Sequence, residues 1–396
     1  MGKFRKLMAM AAVSCMALTV VTGCGSNGSG SSESDSNEVK IGLNFELSGE
    51  TANYGNPEYN GAMLAINQAN ASGENKYTYT PVKGDNKSSA DESTNIATKL
   101  ISSDGVKGIV GPATSGASAA IYQVATDNKV LVVSPSSTTT NITLADGESV
   151  ESVYDYVFRV CFEDSYQGAA MAAFTNDTLG KKKAVIFSDS SSDYAKGLAE
   201  AFKEKFEEKG GTIVSELNYQ AKDTDFNVQL TKIKNMDYDV IYIPGYYNEV
   251  GLIIKQAREM GIDVPIVGGD GFDSTDLVSL AGKENLNNVF FTTAYTTVNA
   301  SDELNAFIEA YKEEYGEDPS MFSALAYDAT NLMIQAFEEA GTTDTEEVQK
   351  TMAGISFKGV TGSFTFDETH TPDKAALVVE IVNGEQKNAV DVNPNK

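Results

Sequence analysis

Short β-branched runs alternate with amphipathic stretches of helical period along most of this chain, and the order comes round twice. In the first pass residues 39–43 read as a buried strand, and Asn56-Pro57 predicts a helix start, with Asn56 capping and Pro57 in the first helical position, running to about residue 71. Ile96, Ala97, Leu100 and Ile101 then repeat at helical spacing, residues 106–110 form a β-branched run closed by Gly111-Pro112, and Ala117, Ala120, Ile121 and Val124 make the next stripe. A strand over 130–133 follows, ending in the polar run 134–138. In the second pass residues 184–187 are a strand, and Tyr194, Leu198, Phe202 and Phe206 lie at four-residue intervals on one helix face before Gly210-Gly211. Strands over 212–217, 240–243 and 264–267 alternate with helices marked by Phe226, Leu230 and Ile233 and by residues 252–260. Such alternation builds parallel sheets flanked by helices, so the expected class is α/β with two similar lobes.

The length of 396 residues allows two domains with real cores. Thirty Lys and Arg stand against 56 Asp and Glu, a formal charge of -26, which argues against a nucleic-acid partner because phosphates demand clustered cations. One histidine, His370, and three cysteines are too few for a zinc site of those residue types; a carboxylate-only metal site stays open. No cofactor motif is found. Gly23, Gly25 and Gly28 spell a dinucleotide fingerprint but follow no strand.

Lys3, Arg5 and Lys6 precede an apolar run over 7–21, the layout of a secretory signal peptide; a membrane span would need about 20 apolar residues, and this run stops at Gly23. Val21-Thr22-Gly23-Cys24 resembles the lipobox of bacterial lipoproteins, which implies cleavage of residues 1–23 and lipidation of Cys24. Residues 24–38 read as a flexible Gly/Ser-rich tether. Cys161, left without a partner, is expected to be a small buried core residue.

In doubly wound sheets ligands sit outside the carboxyl ends of the strands, so the turns there carry the functional reading. Ala113-Thr114-Ser115-Gly116 follows a strand and opens a helix, offering hydroxyls and free backbone N–H groups at a positive helix end; ordinary capping and anion binding both fit. Ser136 and Thr138 end the next strand and can add donors and acceptors. The equivalent turns of the second lobe are Gly245-Tyr246-Tyr247 and Gly269-Asp270-Gly271, where Asp270 can accept from an ammonium and Tyr246 offers a flat wall with a polar tip. A plain turn aspartate is the bland alternative. Donors on one lobe and a carboxylate on the other suit a zwitterion, a free amino acid.

Leu47-Ser48-Gly49 before Tyr54-Gly55, Ile109-Val110-Gly111-Pro112 before Thr114-Ser115, Ser134-Pro135-Ser136-Ser137-Thr138, Asp164-Ser165-Tyr166-Gln167-Gly168, Gly245-Tyr246-Tyr247-Asn248-Glu249 and Gly268-Gly269-Asp270-Gly271 occur in one order. With them the chain from residue 39 to about 386 resembles the type I periplasmic binding proteins of the leucine, isoleucine and valine family, receptors of branched-chain amino acid ABC transporters. The resemblance implies two Rossmann-like lobes joined by three crossovers near Val160, Phe291 and Phe366, with residues 39–160 and 292–366 in the first lobe and 161–291 and 367–390 in the second. It implies that Ser115 and Thr138, with backbone groups of Ser136, hold the ligand carboxylate, and that the Ser136 carbonyl, Thr138 and Asp270 hold its ammonium. Tyr246 would close the site, Tyr54, Ala113, Thr114 and Phe322 would border the ligand side chain, and Tyr194 would flank the cleft. Three departures bear on the ligand: Asp270 stands where many relatives carry Glu, Thr114 where some carry a disulfide cysteine, and Ser136 where they carry a smaller residue. Branched-chain amino acids head the expected ligands; another amino acid, a short amide or urea stays open.

The expected partners are the amino acid and the permease subunits of an ABC transporter, with the protein itself a monomer, exported and lipid-anchored to the outer face of the bacterial cytoplasmic membrane or the periplasmic side of an envelope membrane. Rival classes fare worse. Gly116-Ala117-Ser118 begins like a nucleophile elbow, but Ala120 replaces its last glycine. Asp223, Asp225 and Asn227 begin like a calcium loop, but Val228 and Lys234 occupy its glycine and glutamate positions. No enzyme is expected; a ligand-sensing component of a receptor is the other alternative.

Overall fold

The computed structural model describes residues 37–298 and 300–395. The expected signal peptide, Cys24 and the expected tether up to Ser36 lie outside the described residues. β1 (Glu38–Phe45) opens the fold and is followed by α1 (Ala52–Ser72), β2 (Thr78–Asp85), α2 (Ala90–Lys99), β3 (Gly108–Val110), α3 (Ser115–Asp127), β4 (Leu131–Ser134) and β5 (Val157–Arg159). Their strands form a parallel sheet in the order β2-β1-β3-β4-β5. Every residue of β1 from Ile41 to Phe45 is buried, as expected of a central strand covered on both faces. The edge strand β2 escapes sequence reading because Pro81 and Gly84 interrupt it, and an edge position is where a strand tolerates proline.

The second pass gives α4 (Asp164–Ala173), β6 (Lys183–Asp189), α5 (Asp193–Glu208), β7 (Thr212–Tyr219), α6 (Asn227–Lys234), β8 (Val240–Ile243), α7 (Tyr247–Glu259), β9 (Ile266–Gly268), α8 (Thr275–Ala281) and β10 (Val289–Thr293). Their parallel order β7-β6-β8-β9-β10 repeats the winding of the first sheet strand for strand. Each sheet therefore reverses direction between its first and third strands, at β1/β3 and at β6/β8, which is where such sheets bind ligands.

The chain then turns back. α9 (Asp302–Tyr315), α10 (Met321–Ala340), α11 (Thr345–Ala353) and the hairpin of β11 (Ser356–Gly359) and β12 (Gly362–Thr365) follow β10. α10 packs along α1 and against β3 and β4, so this segment completes the first sheet's layer, and Tyr315 donates from its hydroxyl to the Asn60 carbonyl at 2.9 Å. β13 (Ala376–Val382) and β14 (Glu385–Val392) finally add two antiparallel strands beyond β10, extending past residue 390. No described helix is long and apolar enough to cross a membrane.

One local expectation fails. α1 begins at Ala52 rather than at Asn56-Pro57, because the Thr51 carbonyl already accepts from the Tyr54 and Gly55 amides. Asn56 instead donates to the Leu47 and Ala52 carbonyls at 3.2 and 2.8 Å, and Pro57 sits inside the helix, its missing N–H costing the Asn53 carbonyl an intrahelical partner.

Where the chain passes between the sheets, buried cations tie the strands together. Arg159, fully buried, donates to Thr371 Oγ1 at 3.0 Å and to the Ser137 and Thr139 carbonyls at 3.3 and 2.9 Å, and pairs with Glu163. Lys374 donates to the Val160 carbonyl at 2.8 Å and to Thr361 Oγ1 at 2.5 Å; burial pulls its ammonium down to about 8. Cys161 is buried as expected, its thiol donating to the Ser137 carbonyl at 3.3 Å and pushed up to about 12 by desolvation. His370 stacks on Phe158 with ring centroids 4.1 Å apart and meets the Val157 carbonyl through Nδ1.

α1 and α10 pack tightly at Gly61, where an added Cβ would lie 2.0 Å from the Ser323 carbonyl oxygen. Gly61→Ala is therefore expected to separate these helices and cost about 1–3 kcal/mol. Urea denaturation reads this as a lowered midpoint; an unchanged midpoint would contradict the packing described.

Candidate functional site

The carboxyl ends of the two sheets face one another across a small cleft, whose non-atom space of about 250 Å³ includes open solvent. Tyr54, Ala113, Thr114, Ser115, Ser136, Tyr194, Tyr246, Asp270, Gly271 and Phe322 line it. Nine of the ten residues expected from sequence are thus brought together. Thr138 is not among the lining residues; it is buried, and its carbonyl accepts the Asp164 amide at 2.8 Å.

From the first sheet comes the N-terminus of α3. Thr114 is its N-cap in extended conformation, and the first-turn amides of Ser115, Gly116 and Ala117 have no intrahelical acceptor. The amides just before them are not free, contrary to expectation. Glu46, buried at the end of β1, accepts from Ala113 N and Thr114 N at 3.0 Å each and from Thr114 Oγ1 at 2.8 Å. Burial raises the Glu46 carboxyl, and these donors work against the rise. Any anion reaching this turn must therefore be met from Ser115 onward. Gly111 lets the strand turn into this loop: its φ is +99°, and an added Cβ would meet the Asn44 carbonyl oxygen at 2.3 Å.

From the second sheet comes Asp270, only 3% exposed, at the end of β9. Its Oδ1 accepts from the Tyr194 hydroxyl at 2.7 Å and from Gln167 Nε2 at 3.0 Å. Desolvation pushes its carboxyl up to about 6 despite these donors. The same Gln167 amide donates to Asp164 Oδ1 at 2.8 Å, and its oxygen accepts from Thr292 Oγ1 at 2.6 Å. Asp164, buried and beside Asp270, is pushed up to about 8, desolvation leading and the Asp270 charge second. Gln167 was not singled out from sequence; its signal is the i,i+3 spacing from Asp164 on one helix face. Glu46 was missed too.

Aromatic rings close the space. Tyr246 stacks on Tyr194 at 5.0 Å and meets Tyr54 edge-on at 5.5 Å, while Tyr54 lies 4.4 Å from Phe322. The Tyr54 hydroxyl, from the first layer, donates to the Gly271 carbonyl at 2.6 Å and accepts from Tyr247 N at 3.2 Å. Tyr247 Oη and Asn248 Nδ2 both donate to the Glu50 carbonyl, and Met321 N donates to Asp273 Oδ2 at 3.0 Å. The two layers are thus hydrogen-bonded to each other around the cavity rim.

Among the described residues no group of three or more His, Cys, Asp or Glu side chains is placed to hold a metal ion. No basic side chain lines the cavity. What the arrangement offers is a helix N-terminus facing the buried carboxyl of Asp270, the one acid among the lining residues, between aromatic walls.

Residues 38–386 match the family model described as periplasmic binding protein. Among curated relatives, the Leu/Ile/Val-binding protein homolog 1 of Brucella abortus is 30% identical over 86% of this chain and 90% of its own length. The leucine-, isoleucine-, valine-, threonine- and alanine-binding protein of Pseudomonas aeruginosa is 28% identical over 83% of this chain and 86% of its own. Among solved structures, the branched-chain amino acid transporter substrate-binding protein LivJ of Streptococcus pneumoniae, in complex with isoleucine, is 42% identical over 90% of this chain and all of its own, with a TM-score of 0.85. The leucine-binding protein LivK of Thermotoga maritima is 34% identical over 90% and 99%, with a TM-score of 0.83.

Because the Tyr194 hydroxyl donates to the ionised form of Asp270, its loss should favour the protonated form. In Tyr194→Phe the Asp270 carboxyl is expected to rise above about 6 by roughly one pH unit. A carboxyl-carbon NMR titration measures this; an unmoved or lowered midpoint would refute the assigned bond.

Proposed function

The chain belongs to the periplasmic binding protein family, in its Leu/Ile/Val-binding branch, and we propose that it is the extracytoplasmic receptor of an ABC importer that binds one branched-chain amino acid in the cavity between its two layers. It carries out no chemical conversion of the ligand. The observation that carries this reading is the placement of buried Asp270 across a small aromatic-walled cavity from the N-terminus of α3.

Each charge of a zwitterion meets a complement there. The carboxylate is held by the Ser115 hydroxyl and the first-turn amides of α3, where the helix end favours negative charge. The ammonium is held by Asp270, whose carboxylate is already oriented by Tyr194 and Gln167, with the carbonyl of Ser136 and the side chain of Thr138 as the further contacts implied by family resemblance. Tyr54, Tyr246 and Phe322, with Ala113 and Thr114, enclose the aliphatic side chain, and Gly271 keeps the wall thin: a Cβ there would lie 2.6 Å from the Gly245 carbonyl oxygen. Micromolar affinity, roughly -8 kcal/mol, is within reach of two charge-assisted anchors and one buried side chain.

Residues 39–160 and 292–366 act as one lobe and 161–291 and 367–390 as the other, hinged where Arg159 and Lys374 tie the crossing strands. The ligand favours closure because only the closed form presents α3 and Asp270 to it together. The closed monomer then docks on the permease. Export through residues 1–23 and lipidation of Cys24 keep the receptor at the membrane, since two or more acyl chains anchor stably where one does so marginally. Metabolic labelling with palmitate is expected to mark the full chain and not Cys24→Ser; equal labelling of both would remove the anchor from the account.

Titration calorimetry of residues 39–396, stripped of carried ligand by refolding, is expected to show one-to-one binding of isoleucine, leucine or valine, weakened at least a hundredfold in Asp270→Ala. Binding of only an amide or a sugar would overturn the assignment. The pH dependence has a definite sign. The ammonium favours ionised Asp270, whereas in the empty protein this carboxyl sits up at about 6. Below that value binding must expel a proton, so affinity should fall about tenfold per pH unit as pH drops below 6. Affinity that rises on acidification would contradict direct pairing.

A further inference from the structure

Glu58 lies on α1 one turn beyond Tyr54, fully buried, outside the cavity lining. Its Oε1 is hydrogen-bonded to Ser136 Oγ, while its Oε2 is buried and has no partner. Ser136 Oγ is also 2.9 Å from the Ala113 carbonyl oxygen. The hydroxyl has a single hydrogen, and a carbonyl can only accept. For each contact to be a full two-centre hydrogen bond rather than a share of one bifurcated hydrogen, Ser136 must donate to Ala113 and the hydrogen between Ser136 and Glu58 must come from Glu58.

We propose that Glu58 is a positioning residue that keeps its proton in the folded protein and donates it to Ser136, fixing that hydroxyl on the Ala113 carbonyl. The ionised alternative is poor on the same geometry. A carboxylate there would either go without any donor or take the only hydrogen of Ser136, leaving the Ala113 carbonyl unpaired, and its second oxygen would stay bare in either case. Among the described residues no cation offsets it: the charged group acting on Glu58 is Glu46, just past the end of β1, another acid. Burial accordingly pushes the Glu58 carboxyl well above the usual range, and Glu46 adds to the rise. Ser136 and Ala113 both line the cavity, so this proton sets which lone pairs the first layer presents to a ligand.

The protonation stands on the geometry alone; only its effect on affinity rests on the proposed amino-acid ligand. Two variants of the folded chain separate the parts. Glu58→Gln keeps a donor for Ser136 without a titratable group, and Glu58→Ala removes it. The infrared difference spectrum of wild type minus Glu58→Gln at pH 7 is expected to contain the carbonyl band of a protonated carboxylic acid, shifting in D2O. Isoleucine affinity should be kept within about twofold in Glu58→Gln and weakened about tenfold in Glu58→Ala. A difference spectrum holding only carboxylate bands, a Gln variant as weak as the Ala variant, or an Ala variant as tight as wild type would overturn the proposal. If wild type fails to bind isoleucine while the acid band is present, the ligand assignment falls and the band alone sustains the protonated Glu58.

Discussion

A carboxylate buried without a cation is the constraint around which this molecule is arranged. Asp270 stands at the end of β9, nearly inaccessible, with its charge eased by a tyrosine hydroxyl, a glutamine amide and the backbone amides of Asp270 and Gly271. Desolvation makes the empty state costly for the charged form, which is the condition under which an incoming ammonium is worth most. The fold keeps that condition by bringing up α3 from the other layer, aromatic rings on the remaining sides and no basic side chain to the cavity.

The same hydrogen bonds connect the site to the crossings between layers. Gln167 joins Asp270 to Asp164 and to Thr292 of β10, and Asp164 N reaches the Thr138 carbonyl beyond β4. Arg159, a few residues before Asp164, grips the Ser137 and Thr139 carbonyls on either side of Thr138. Asp270 and the crossing strands thus belong to one polar network. The Tyr54 hydroxyl works at the opposite rim, holding Gly271 and Tyr247 from the first layer.

Much of this was legible in the chain, and what was not has physical reasons. The strand and helix order emerged from periodicity because buried parallel strands are near-continuous apolar runs, as in β8 and β4. The turn residues Ser115, Ser136, Tyr246 and Asp270 could be picked out because they follow strand ends, and the fold brings them to one cavity. The return of α9 to α11 to the first layer could be reached only through family resemblance, since nothing local in a helix says which sheet it covers. Asn56-Pro57 misled because a local capping signal lost to tertiary contacts that begin α1 at Ala52. Glu46 was invisible for a different reason: which amides a buried acid will occupy depends on two segments 67 residues apart, and its capture of the Ala113 amide removes donors that the turn alone promised to a ligand.

The central claim is that one small molecule is held by both of its charges at once, one from each layer. It is tested most directly by calorimetry with leucine, its des-amino analogue 4-methylpentanoate and its decarboxylated analogue 3-methylbutylamine. The account predicts that leucine binds and that each analogue, stripped of one charge but keeping the apolar body, binds at least a hundredfold more weakly. If 4-methylpentanoate binds as tightly as leucine, Asp270 is not an ammonium anchor and the two-sided reading of the cavity is wrong.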